Sequence, residues 1–343
     1  MAHSEPAQRT VACAACGIPA PFLDGECAAS CAACGAVTSV DGSGRIEPHL
    51  MVTPALDEAA AISAARSWLG RGLFRAADLS KNAAMSRVDG VMLPWWIVRV
   101  SGETRWKGMK RRIREHGTGR DKVREEYWEP AEGSFREDLE KPVYARQDLS
   151  AHWGVAFLEP GRQCVFPDWG RFFPALGLGS ENSGRKSLFD MRVPFDNGRA
   201  AASGLATVNA QLPRAAAEEK AMAAVKAEHD ARAHTLADRI TDCDTSVTVQ
   251  GADLVHLPLW EIVYGYGGRS YRLLMDASNG RVLAAEAPVG KWRRAALVDA
   301  LLGITGLAMI LASGGRGYVL GTGIACLVLA ALYSGWTAFG LER

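Results

Sequence analysis

The feature that most constrains this chain is a pair of C-x-x-C-G motifs near its N-terminus. Cys13 and Cys16 form the first pair of thiols, and Cys31 and Cys34 form the second. Two intervening residues let one tight turn present both sulfur atoms to the same ion, and the glycine lets the backbone fold back beside it. The spacing therefore predicts a zinc ribbon over residues 1–45, with structural Zn²⁺ bound by Cys13, Cys16, Cys31 and Cys34.

Disulfide pairing and thioredoxin-type redox chemistry are the alternatives for these cysteines. The first ten residues have neither a basic nor an apolar segment, so they predict no secretory signal, and cytosolic thiols stay reduced. A redox site would need one C-x-x-C motif beside a βαβ unit. Four sulfur ligands leave no position for a catalytic water, so the metal is expected to stabilise the fold. Cys27 is a spare thiol that could replace a neighbouring ligand.

Charge balance and hydrophobic content exclude two broad classes of protein. The chain has 343 residues, and its 39 Lys and Arg residues nearly balance 38 Asp and Glu residues, which excludes a globally basic nucleic-acid binder. A hydrophobic content of 48% excludes wholesale disorder. After the ribbon we expect four regions: a helix with a first β-unit (54–150), an irregular region with a long helix (151–250), a β-meander (251–290) and a helical hairpin (295–339).

The C-terminal hairpin consists of two apolar segments. Ala295 to Ser313 has one charged residue, Asp299, and Tyr318 to Phe339 has none. As helices they would reach about 28 and 33 Å, which is enough to cross a bilayer. Basic residues lie outside the two segments at Lys291, Arg293, Arg294 and Arg343, against Arg316 alone between them. The pattern predicts a transmembrane hairpin with both termini in the cytoplasm; a buried hairpin in a soluble core is the alternative.

Asp299 is expected one turn inside the first span, where its side chain can reach the interface. A proton-relay or partner-binding role is the alternative.

The middle of the chain predicts an α+β fold. Leu93-Pro94-Trp95-Trp96 and Leu257-Pro258-Leu259-Trp260 both indicate a strand that begins at a proline. Gly267-Gly268 and Asn279-Gly280 supply two turns, which predict a three-stranded meander from Leu259 to Ala285. Arg214 to Ile240 is rich in Ala, Glu and Lys and predicts a long helix entered through Pro213.

Two adjacent blocks of opposite charge lie between these elements. Arg105 to Arg124 carries nine Lys or Arg residues against two acids, and Glu125 to Glu140 carries seven acids against one Arg. Facing strands would let the blocks neutralise each other. Binding to anionic lipid headgroups or to nucleic acid is the alternative for the basic block.

The sequence contains no recognisable active site. Gly179 to Ser187 nearly matches a phosphate-binding loop, but Arg185 displaces the lysine, and Pro174 and Pro194 interrupt the flanking strand and helix. The seven histidines are scattered, without a metalloprotease or nucleophile motif.

The arrangement resembles bacterial membrane proteins with an N-terminal zinc ribbon of the transcription-factor-IIB type, which are often labelled primosomal or helicase-related. The resemblance rests on the motifs at Cys13 to Cys34, Ser67 to Gly70, Leu93 to Trp96, and Leu257 to Val282. It implies a multi-pass protein of the bacterial inner (plasma) membrane whose soluble region is cytoplasmic. Some relatives look like anchors in phage-shock-type envelope-stress systems, which recruit cytosolic partners.

Two functions are consistent with these features. The first is a non-enzymatic, membrane-anchored adaptor that binds protein partners at the cytosolic membrane face. Anionic lipid is a further candidate partner of this adaptor. The second is a membrane-tethered nucleic-acid-binding protein that uses the ribbon and the Arg105 to Arg124 cluster. The ribbon itself has few basic residues, which favours the adaptor.

Overall fold

The computed structural model describes residues 8–71, 76, 78–116, 123–146, 188–288, 291–312 and 317–338. The fold is α+β with a mostly sheet core, which confirms the predicted class. The chain divides into two compact units. The first comprises Met1–Glu58, Asp89–Trp260 and Asp276–Arg281, and the second comprises Ala59–Val88, Glu261–Met275 and Val282–Arg343.

Short strands come first along the chain, and the long strands and helices follow them. The N-terminal strands are β1 (Gln8–Ala12), β2 (Pro19–Leu23), β3 (Ala28–Ser30), β4 (Val37–Ser39) and β5 (His49–Val52). Next come α1 (Glu58–Leu69), α2 (Leu79–Asn82), β6 (Ala84–His116), β7 (Val123–Tyr144), β8 (Arg192–Pro194), α3 (Asn197–Ala202) and β9 (Ala206–Thr207). The remainder is α4 (Arg214–Leu236), β10 (Arg239–Tyr266), β11 (Arg269–Asp276), β12 (Val282–Ala285), α5 (Lys291–Ala312) and α6 (Gly317–Ala338).

The N-terminal ribbon, residues 8–45, consists of two antiparallel hairpins. Strands β1 and β2 form the first, and β3 and β4 form the second. The chain then enters β5, which pairs in parallel with β10 and antiparallel with β8. The ribbon is therefore connected directly to an internal strand of the main sheet.

Helix α4 supplies one layer of the first unit's core. Its buried residues recur every four positions, at Ala217, Ala221, Val225, His229 and Ala233. This spacing gives a stripe of mostly small side chains along one helix face, which suits close packing on a sheet. The stripe packs against strand β6, where Trp96, Val98 and Val100 are buried.

Strands β6 and β7 form a long antiparallel hairpin, which we call the charged hairpin. Its register places Lys110 opposite Glu129 and Arg114 opposite Glu125. Arg112 and Glu129 form an ion pair at 2.8 Å, and Arg124 and Glu115 form another at 2.7 Å. The prediction that the two charge blocks lie on facing strands is confirmed.

Most of the predicted meander belongs to the second unit, whereas its second turn, Asp276–Arg281, belongs to the first. The last part of β10 is followed by β11 and β12, and β11 and β12 pair antiparallel. The turn glycines Gly267, Gly268 and Gly280 have φ of +57°, +76° and +75°. The two turn sequences were therefore sufficient to locate this part of the sheet.

Helices α5 and α6 of the second unit pack against each other. Gly306 and Gly323 lie at their crossing, where a Cβ on either glycine would come within 2.8 Å of the other's carbonyl oxygen. The two backbones can approach closely because neither position has a side chain. Large apolar side chains lie on the outside of the pair, among them Ile304, Leu311 and Leu332 at 70%, 78% and 65% exposure.

Over the described residues, no helix combines the length and the apolar composition needed to cross a bilayer.

Several predicted boundaries differ from those observed. Strand β6 begins at Ala84, ten residues before Pro94, and helix α4 ends at Leu236 and not at Ile240. Pro94 is tolerated inside β6 because pairing with β7 starts only at the next residue, Trp95. The phosphate-loop-like segment, Gly179 to Ser187, lies outside the described residues, because only residue 188 onward is described after residue 146.

Candidate metal centre

Two similar turns bring the paired cysteines of the ribbon together. Gly17 and Gly35 have φ of +77° and +73°, a conformation that side chains disfavour, and this explains the glycine after each motif. The Gly17 N–H donates to the Cys13 carbonyl oxygen at 2.8 Å, and the Gly35 N–H donates to that of Cys31 at the same distance. Each turn thus projects two thiols to the same side.

The four predicted ligands lie close together. The Sγ atoms of Cys13, Cys16, Cys31 and Cys34 are all within 4.8 Å of one another. The Cys13–Cys34 and Cys16–Cys31 sulfur pairs are both 3.6 Å apart. A tetrahedral site with metal–sulfur bonds of about 2.3 Å places its sulfurs roughly 3.8 Å apart. The four thiols are therefore close enough to bind one metal ion, and their spacing fits zinc.

The electrostatics around Cys13 favour its thiolate. Burial acts to raise the pKa of this thiol, but backbone N–H groups of Ala15 and Cys16, together with neighbouring thiols, outweigh it and lower the pKa to about 6. The Ala15 N–H donates to the Cys13 sulfur at 3.4 Å. A thiolate is the form that binds a metal, so Cys13 is prepared for ligation. At Cys16 the Ile18 backbone N–H acts to lower the pKa, but hydrogen bonds to the neighbouring thiols outweigh it and raise the pKa to about 12.

Cys27 lies away from this centre, so the structure does not support its exchange with a ligand. Its thiol donates to the Ala210 carbonyl oxygen at 3.3 Å, and its backbone N–H donates to the same atom at 2.9 Å. Burial raises its pKa to about 11, so it stays a neutral thiol. Cys27 is part of the packing between the ribbon and the sheet.

A buried polar network attaches the ribbon to the rest of the first unit. Glu26 and Arg146 form an ion pair, with side chains only 3% and 6% exposed. Asn209 donates to Glu26 at 2.8 Å and accepts from the Ser30 N–H at 2.8 Å. Every member has a partner, as buried charged and polar groups require. The ribbon is thus docked on the sheet.

A second contact involves two histidines, of which His49 is half-buried and His256 is buried. His49 Nδ1 lies 3.1 Å from the carbonyl oxygen of Gly35, the glycine beside ligand Cys34, and His49 Nε2 lies 2.9 Å from His256 Nδ1. Phe195 stacks on His49 with ring centroids 4.2 Å apart. Burial lowers the pKa of His49 to about 2 and that of His256 to about 4. Both rings are therefore neutral near pH 7.

Sequence reasoning missed all of these docking residues. Glu26 and Arg146 are 120 positions apart, and His49 and His256 are 207 positions apart. No spacing rule connects residues at such separations. The one available signal was a histidine in each of two largely apolar strand segments, His49 in β5 and His256 in β10, whereas Glu26 and Arg146 lie outside the strands.

Part of the basic cluster is paired with acids among the residues that the structure describes. Arg111, Arg112 and Arg124 each lie beside a glutamate. Arg120 and Lys122 are outside the described residues. The charged hairpin therefore satisfies much of its own charge.

No protein-family model matches the chain, and no curated protein or solved structure is significantly similar to it. The family resemblance therefore rests on the sequence motifs alone.

Proposed function

We propose that this chain is a non-enzymatic, membrane-anchored adaptor of the bacterial inner membrane that binds protein partners at its cytoplasmic face. The observation that carries the proposal is the closed, four-thiol centre in a docked ribbon. All four ligand positions of a tetrahedral ion would be filled by sulfur, so the metal would organise structure and would not activate water. The ribbon would then be a rigid part of a binding surface.

The metal proposed for this centre is Zn²⁺, bound by Cys13, Cys16, Cys31 and Cys34. Tetrahedral sulfur sites also suit iron, so elemental analysis of the purified full chain decides between them. We expect one zinc per chain, and a Cys16→Ser, Cys34→Ser double variant should lose it. Full zinc content in that variant, or iron in the wild type, would reject the assignment.

The proposed membrane anchor is the hairpin of α5 and α6. Its support is the outward apolar surface of the two helices and the lack of any charge from Tyr318 to Phe339. Side chains are described from residue 299 in α5 and up to residue 332 in α6, so part of each apolar segment lies outside them. We expect the full chain to resist carbonate extraction from membranes. A probe cysteine at Gly315 should react with an outside reagent, with both termini protected. The reverse labelling pattern would overturn the topology.

The adaptor is preferred to a nucleic-acid binder because the basic cluster is opposed by glutamates in the charged hairpin. We expect the detergent-solubilised full chain to bind DNA or RNA no tighter than about 10⁻⁶ M at physiological salt. Partner recovery by crosslinking in membranes should also survive nuclease. Tight, steeply salt-dependent binding would instead support the alternative if it disappears when Lys110, Arg111, Arg112 and Arg114 are all changed to Gln.

A further inference from the structure

The outer part of the charged hairpin extends beyond helix α4 and the start of strand β10, which cover its base. We call residues 109–116 and 123–130 the hairpin tip. The Asp238 side chain accepts the N–H of Arg111 at 2.8 Å, and β10 begins at the next residue, Arg239. Helix α4 has already ended at Leu236. Beyond Arg111, the described chain continues β6 with β7 as its paired strand, for a reach of roughly 17 Å.

The hairpin tip exposes large apolar side chains on both of its faces. Ile113, Trp128 and Tyr127 are 57%, 49% and 39% exposed. Arg111 is opposite Trp128 and Ile113 is opposite Glu126, so Ile113 and Trp128 are diagonal neighbours on one face. Tyr127, next along the strand, lies on the other face. A flat protein partner could cover one face, whereas a fluid interface covers both at once.

The acids of the hairpin tip do not prevent contact with a negative surface. Three of its four glutamates lie beside an arginine, in the pairs Arg124–Glu115, Arg111–Glu126 and Arg112–Glu129, and the fourth, Glu125, lies 3.5 Å from His116. Two further cations, Lys110 and Arg114, remain, and the Arg114 guanidinium lies over the Tyr127 ring at 5.1 Å. Aromatic rings beside Lys and Arg are typical of the water–headgroup boundary of membranes.

We propose that the hairpin tip docks into the interface of a bilayer containing anionic phospholipid, with Ile113, Tyr127 and Trp128 among the headgroups and Lys110 and Arg114 beside lipid phosphates. The inference deepens the proposed anchoring, because a tether would hold the soluble units near lipid. Duplex nucleic acid fits less well, since it needs many unopposed cations and no aliphatic contact.

Photocrosslinking of the full chain tests this directly. Trp128→p-benzoylphenylalanine is reconstituted into vesicles of phosphatidylcholine alone or of an equimolar mixture with phosphatidylglycerol, irradiated, and analysed by mass spectrometry. We expect a phospholipid adduct that is much stronger in the mixture. Trp106→p-benzoylphenylalanine is the control, because Trp106 lies on the same hairpin but is buried. Ile113→p-benzoylphenylalanine provides a second position should the first variant fold poorly.

Charge variants distinguish docking of the hairpin tip from non-specific electrostatic attraction of the whole chain to anionic lipid. Lys110→Gln with Arg114→Gln should lower the preference for the anionic vesicles by about 25-fold, at roughly fivefold per cation. Lys220→Gln with Lys226→Gln removes the same charge from the exposed side of α4 and should change little.

The possible outcomes distinguish this inference from the proposed anchor. A carbonate-resistant chain without lipid adducts at positions 113 and 128 would overturn tip docking while the anchor stands. Lipid adducts on a carbonate-extractable chain would support tip docking and reject the anchor. Adducts to RNA or protein in native membranes, without lipid adducts, would also overturn tip docking.

Discussion

The buried ion pair between Glu26 and Arg146 should control how firmly the ribbon is docked. Arg146→Met keeps much of the side-chain volume but leaves the Glu26 carboxylate buried without its cation. Breaking a buried pair in this way costs about 3–5 kcal/mol. Because both side chains are almost fully buried, solvent screening reduces this little. The local opening equilibrium should therefore increase by roughly 10² to 10⁴-fold.

Hydrogen exchange followed by mass spectrometry measures this opening. The Cys27 and Ser30 amides donate across the docking contact, to Ala210 and Asn209, so peptides over residues 26–30 should exchange much faster in Arg146→Met. Zinc loss to a chelator should accelerate as well. A double variant that combines Arg146→Met with Glu26→Gln should recover part of the stability, since burying an unpaired amide costs less free energy than burying an unpaired carboxylate.

The matched control is Arg136→Met. Arg136 pairs with Asp138 at 4.0 Å on the surface of the same unit, and both side chains are 64% exposed. Such a pair contributes at most about 1 kcal/mol. Unchanged exchange over residues 26–30 in Arg146→Met, or a double variant less stable than Arg146→Met alone, would refute the docking argument.

Three further predictions concern single positions. Cys27→Ala should leave the metal content unchanged by elemental analysis, because this thiol donates to Ala210 and lies outside the four-sulfur centre. Gly90→Ala should lower the free energy of unfolding by about 1–3 kcal/mol in thermal or denaturant unfolding, since its Cβ would lie 2.6 Å from the Trp260 ring. His256 has its pKa lowered from 6.5 to about 4 by burial. The unfolded imidazole therefore gains a proton below pH 6.5 before the folded one does, and acidification towards pH 4 should cost up to about 3 kcal/mol; His256→Gln should lose this share of the pH dependence. An identical pH profile in that variant, a lower metal content in Cys27→Ala, or full stability in Gly90→Ala would contradict the respective argument.

Local sequence patterns predicted the features that depend on neighbouring residues. Two cysteines in one turn, or Asn279-Gly280 between two strands, are determined within a few positions of the chain. The charged hairpin was also predictable, because its two blocks are adjacent and opposite in charge. The end of α4 was missed by four residues, since Ala, Glu and Lys composition does not mark where β10 must begin.

Long-range contacts were not predictable in the same way. The parallel pairing of β5 with β10 joins His49 to Leu254, and the docking network joins Glu26 to Arg146 and Asn209. These residues meet because the whole sheet forms, and no local pattern specifies the register. The sequence located the four candidate metal ligands but contained no information about the surface on which the ribbon rests.

The connection of the ribbon to an internal strand has a consequence for biosynthesis. The four cysteines leave the ribosome well before strand β10, and a metal could close their turns at once. Strand β10, beside which β5 must lie, follows roughly 220 residues later, or about 10 to 40 s at ordinary translation rates. During that interval a metal-bound ribbon would be closed but undocked, with Glu26 and Cys27 still in water. Metal loading would then precede assembly of the sheet, and a shortage of metal would act on the nascent chain before the contacts between β5 and β10 exist.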